Sequence, residues 1–168
     1  MRALLVCAMA VVFQAPPDFS GRWEFDREKT MQPGPDGRIV LAAMLGDEVV
    51  VQQSSRAITF TIDAGGQQVK AVYRLDGSAS RNMSPGPPGQ PEIPVTSRAS
   101  WDGKRLIIDS KSVATEKGIA VTVDTRRALW LDADGNLIVE RTGTPVSLVT
   151  PSRSVYRKRP LVGVRKVN

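Results

Sequence analysis

Histidine is absent from the chain. That removes the side chain that most often serves as general base near neutral pH, as transition-metal ligand and as the middle member of a nucleophilic triad. Cysteine occurs once, as Cys7 in an apolar N-terminal segment; if that segment is removed on export, the mature chain has no thiol, no disulfide and no cysteine metal site. Aromatic residues make up only 5%, so each Trp, Tyr and Phe is expected to anchor packing. No apolar run reaches membrane-spanning length: Leu4 to Phe13 covers ten residues, and nothing longer follows. A phosphate-cradling glycine loop is missing too, since the glycines fall at turns.

No catalytic residue, metal site or cofactor emerges from what remains. An enzyme here would be a hydrolase or isomerase working through Ser, Lys, Asp, Glu or Tyr, and no spacing singles one of these out. Asp132-Ala133-Asp134-Gly135-Asn136 invites a calcium reading, but Leu137 stands where the loop glycine belongs and Gly143 where the closing Glu belongs. It reads instead as an Asp-Gly hairpin turn. The formal charge is +6, of which Arg2 supplies one unit, enough for weak attraction to polyanions. No recognition motif for specific nucleic-acid binding accompanies it.

The 168 residues suit one domain with a core of its own. Residues 1–15 have the pattern of a signal peptide, with one basic residue, a short apolar run and small residues before Pro16. They point to a periplasmic or extracellular protein. A single barrel domain is expected over 16–159 and a flexible basic tail over 160–168.

From Gly21 onward the apolar period is two, which means strands. Trp23 and Phe25 share a face, as do Ile58, Phe60 and Ile62, then Val69, Ala71, Tyr73 and Leu75. Turn signals separate these runs, among them Asp102-Gly103 and Glu116-Lys117-Gly118. Residues 27–38 read as loop, and Ile39 to Leu45 as a buried strand or a short helix stopped by Gly46, able to cap a barrel end. The proline-rich stretch 76–94 is expected to be an exposed loop. Arg127 falls on the apolar parity of its strand, so either the strand bulges near Arg126-Arg127 or the guanidinium reaches a barrel mouth. The sum is an all-β antiparallel meander barrel of about 8–9 strands with at most one short helix; a sandwich would need the same patterning.

Ser20-Gly21-Arg22-Trp23 carries a resemblance. A Gly-x-Trp opening the first strand resembles the lipocalins and the wider calycin superfamily. With Phe19-Ser20-Gly21, Ala99-Ser100-Trp101-Asp102-Gly103 and Ala133-Asp134-Gly135-Asn136-Leu137, the chain is also similar to a group of small secreted bacterial β-proteins. The lipocalin resemblance implies structural roles for Gly21, Trp23 and Arg157, with the Trp at the closed end of the barrel near a basic residue of the last strand. A lipocalin-like barrel would hold a small apolar or amphipathic ligand among inward residues, here Phe60, Tyr73, Trp101, Leu106, Ile108, Val121, Leu129 and Val139; the competing reading is that these fill the barrel as core. An alternative role is interaction with an anionic envelope or matrix polymer through the basic surface and loop 76–94.

Overall fold

In a computed structural model of the chain, residues 15–31, 43–64, 67–85 and 91–160 are described. The segments expected to be leader and tail therefore lie almost wholly outside the described residues. Ten strands follow one another: β1 (Gly21–Phe25), β2 (Glu48–Gln53), β3 (Ala57–Ala64), β4 (Gln67–Arg74), β5 (Ser80–Ser84), β6 (Ile93–Asp102), β7 (Arg105–Glu116), β8 (Ile119–Leu131), β9 (Leu137–Thr144) and β10 (Ser152–Arg159). Among the described residues one short helix, α1 (Arg27–Thr30), lies between β1 and β2. All ladders are antiparallel, in the order β4-β3-β2-β1-β10-β9-β8-β7-β6-β5. Pairing of the first strand with the last closes the meander into a barrel, and the break in the ladder falls between β4 and β5.

The strand count exceeds the expected 8–9 because β5 was hidden. Ser80-Arg81-Asn82-Met83-Ser84 has no apolar alternation, yet it pairs with β6 from Ser80↔Ser97 to Ser84↔Ile93. Residues 76–94 are thus not one loop. The β7–β8 register runs without interruption from Leu106↔Leu129 to Glu116↔Ile119, so no bulge occurs at Arg126-Arg127 and Arg127 keeps its inward parity. The turn between these strands places Lys117 and Gly118 at positive φ, 52° and 81°, as a two-residue hairpin turn of matching twist demands.

The helix also falls elsewhere than expected, within residues read as loop. Asp26 caps α1 by accepting from the Lys29 N–H at 3.0 Å. Its other carboxylate oxygen meets Arg157 Nε at 3.2 Å. Thr30 Oγ1 accepts from the Val155 N–H at 3.0 Å, which lays α1 along the outer side of β10 over Val155, buried despite its outward parity. Of the stretch expected as helix or strand, residues 39–42 lie outside the described residues. Met44 and Gly46 form an isolated bridge, and Leu45 is buried in the core.

One end of the barrel carries the turns at 54–56, 75–79, 103–104 and 132–136 and is plugged. There Phe19 and Trp101 pack with ring centroids 5.7 Å apart, and the Trp23 indole N–H donates to the Phe19 carbonyl at 2.9 Å. Above them Ile58, Phe60, Leu106, Leu129, Leu137 and Val139 are buried. Each such side chain contributes about 1.5–3 kcal/mol on leaving water. At the opposite end lie the last residues of β1, β3, β5, β7 and β9 and the first of β2, β4, β6, β8 and β10, with the described turns 117–118 and 145–151.

Candidate functional site

Toward that second end the inward face changes character. Along β8 the inward parity after Leu129 brings Arg127, Thr125 and Val123; along β9, after Val139, it brings Arg141 and Gly143. Strand β7 adds Ser110 and Ser112. Strands whose lower halves are aliphatic thus turn polar by the same alternation, and a cavity of about 480 Å³ opens among Arg127, Thr125, Arg141, Ser110 and Ser112 on one side and Ile62, Val69, Ala71, Tyr73 and Val95 on the other. Its size falls in the range of small-molecule sites.

Its floor is set by three side chains. Arg127 and Arg141 are direct cross-strand partners on the same face, the arrangement in which like charges destabilise a sheet. An Arg127 Nη donates to the Tyr73 hydroxyl from across the barrel, and its guanidinium carbon lies 5.4 Å from the centre of that ring. Tyr73 is in turn packed edge-on against Phe60, at 5.8 Å. Arg141 is half-buried, and its Nε is fully buried without a hydrogen-bond partner among the described residues. Burial, and secondarily the charge of Arg127, hold the Arg141 guanidinium below its usual pKa. Among the described residues, neither arginine is ion-paired with a carboxylate.

Higher on the wall, Ser97 and Ser110 bury their hydroxyls against each other at 2.8 Å. Where β4 and β5 fail to form a ladder, Asn82 bridges them. Its side chain accepts from the Val72 N–H at 2.8 Å and donates to the Val72 carbonyl at 3.0 Å. Ser80 Oγ accepts from the Arg74 N–H at 2.9 Å. The cavity reaches this seam at Asn82 and Met83.

Of the eight inward residues named from sequence, Tyr73 lines this cavity. Phe60, Leu106, Ile108, Leu129 and Val139 are buried in the packed core, and Val121 is partly exposed on β8 near the 117–118 turn. Trp101 belongs to the plugged end, beside a hollow lined by Pro16, Gln53 and Leu75. The three structural residues divide as well. Trp23 is 1% exposed, and Gly21 holds φ at 140°, with Lys158 where a Cβ would stand. The basic side chain over Trp23 is Lys158, 5.4 Å from the ring; Arg157, on the opposite parity, faces outward to Asp26. Arg141 is the site residue that sequence reasoning missed, although its place on the apolar parity of Leu137 and Val139 was a readable signal.

A second concavity, of about 380 Å³, lies over the row Arg98, Asp109 and Arg126 and the neighbouring Lys111 and Asp124. Its charges answer one another: Arg126 grips Asp109 at 2.7 and 2.9 Å, and Lys111 meets Asp124 at 3.2 Å. Asp132 likewise spends its carboxylate inside its own turn, on the N–H groups of Asp134 and Asn136 and the Asn136 amide.

No family model matches the chain, and no curated protein matches it. Among solved structures, a point mutant of the fluorescent protein UnaG is similar, with a TM-score of 0.50 and 19% identity over 84% of this chain and 96% of that one. At this identity the likeness speaks for the fold. Together with the nearly closed ten-stranded meander, it supports a barrel fold of the lipocalin and calycin type.

Proposed function

We propose that the protein is a non-enzymatic binding protein, holding one small amphipathic molecule in its barrel with an anionic head group at Arg127, Arg141 and Tyr73. The supporting observation is the pair of inward guanidinium groups facing each other on β8 and β9 without a carboxylate partner among the described residues. Two half-buried like charges are costly to keep in a core. A ligand anion supplies the missing counter-charge to the two guanidinium groups, while Ile62, Val69, Ala71 and Val95 offer apolar wall to its tail.

Isothermal titration calorimetry with two anionic amphiphiles, dodecanoate and dodecyl phosphate, and with cationic dodecyltrimethylammonium tests this reading. A one-to-one complex with an anionic amphiphile and none with the cationic one is the expected result. No binding of either anion overturns it. The proposed place of action is outside the cytoplasm, on the strength of the leader-like residues 1–15; N-terminal sequencing of the exported protein tests that separately. The outer-wall row Arg98, Asp109 and Arg126 is largely self-neutralised and lends no support to an anionic polymer as partner.

A further inference from the structure

Binding of an anionic amphiphile, as proposed above, leaves open how much charge its head group carries. We infer that the barrel is built for a dianionic head group, a phosphate monoester being the chemistry that fits, in preference to a single carboxylate. This rests on the binding reading and sharpens it.

Charge balance is the first argument. Arg127 and Arg141 stand directly opposite each other on the inward face. A monoanion between them leaves one positive charge uncompensated against apolar wall, where the effective dielectric is low; a dianion leaves none. Asp63, the carboxylate among the lining residues, does not fill this role, because on β3 it has the parity opposite to the inward Phe60 and Ile62.

Donor geometry is the second. Arg127 spends one Nη on Tyr73, but the Tyr73 oxygen is the acceptor in that bond, so its O–H remains a donor. Arg141 lines the same cavity, and Ser112 and Thr125 bring hydroxyls to it. A carboxylate offers two oxygens in one plane. A phosphate monoester offers three acceptor oxygens in a tetrahedral array, which can take two guanidinium forks and a phenol arriving from different strands.

Calorimetric titration of the full chain at pH 8 with dodecyl phosphate, methyl dodecyl phosphate and dodecanoate tests the inference, because the first two share a tetrahedral head and differ in charge. Dodecyl phosphate is expected to bind about tenfold or more tightly than either monoanion. The gap to methyl dodecyl phosphate should close at pH 5, below the second phosphate pKa of about 6. Arg127→Gln and Arg141→Gln should each weaken dodecyl phosphate more than either monoanion and so close the gap at pH 8. Equal affinity for all three at pH 8, or a gap that persists in both variants, overturns the dianion inference and leaves the binding reading standing. If none of the three binds, the binding reading itself fails and takes this inference with it.

Discussion

Asn82 stands in for a strand at Val72: one side-chain amide satisfies both the N–H and the carbonyl of a backbone residue, at 2.8 and 3.0 Å, where β5 does not pair with β4. A neutral hydrogen bond contributes about 0.5–1.5 kcal/mol net, and these two are exposed. Asn82→Ala is expected to lower stability by about 1 kcal/mol and to speed amide exchange at Val72 while Tyr156 and its neighbours keep their protection. Hydrogen exchange resolved by residue checks this; unchanged exchange at Val72 would mean that the seam is held by something else.

The unliganded protein should gain stability when its facing charges are relieved. Arg141→Met removes the orphaned Nε–H and the repulsion from Arg127 while filling similar space. Because Arg141 is only half-buried, solvent screening limits the effect, and a gain of up to about 1 kcal/mol is expected. The same variant should bind anionic amphiphiles more weakly. Denaturant midpoints with and without dodecyl phosphate measure both effects, and a less stable unliganded variant would contradict the account.

Tyr156 ties the barrel wall to the chain segment before β2. Its oxygen accepts from the Leu45 N–H at 2.7 Å, both groups being buried. Tyr156→Phe strands that N–H and should cost about 1–3 kcal/mol at neutral pH. Burial, the leading cause, pushes the phenol well above its ordinary value of 10.0, while its bonds to Leu45 and Ser154 act the other way. The folded state therefore holds the phenolic proton longer than the unfolded chain does. That stabilisation is complete below about pH 10 and is lost as pH rises beyond it. The stability gap between the parent and Tyr156→Phe should narrow above pH 10, as urea midpoints between pH 7 and 11.5 would show.

Gly143 is fixed by packing. A Cβ there would press on the Asp124 carbonyl oxygen and come within 2.8 Å of Val149 Cγ1, and Val149 is 3% exposed. Gly143→Ala is expected to destabilise by about 1–3 kcal/mol as β8, β9 or the 145–151 connection shifts. Val149→Ala should recover part of that loss by removing one of the two obstacles, and a double-mutant cycle measures the coupling.

Strands with one apolar face were legible in the sequence. Val49 and Val51, Ile58 and Phe60, and Leu106 and Ile108 alternate because they line a packed core, and burial imposes the period. Strand β5 lacked that signal because its ladder to β6 sits beside a seam and a cavity: inward Ser80 and Asn82 satisfy backbone groups of β4 instead of filling apolar space. The site suffered from the same cause. Arg127 broke an apolar parity, and a bulge is the ordinary way to return a charge to water; only the uninterrupted register with β7 shows that it stays inside. Trp101 obeyed its alternation, but parity says which face a residue occupies and not which end of the barrel it plugs.

The break between β4 and β5 also separates two things that coincide in most open sheets, the ends of the chain and the ends of the sheet. Strands β1 and β10 are full ladder neighbours, from Arg22↔Arg159 to Phe25↔Tyr156, while the sheet's own margins are β4 and β5 in the middle of the sequence. A circular permutant that joins β10 to β1, begins at Ser80 and ends at Arg74 would keep every backbone ladder. It would exchange the long-range closure of first strand on last for a sequential meander of lower contact order. The place where this barrel is weakest in hydrogen bonds is thus also where its chain can be cut at least cost to its topology.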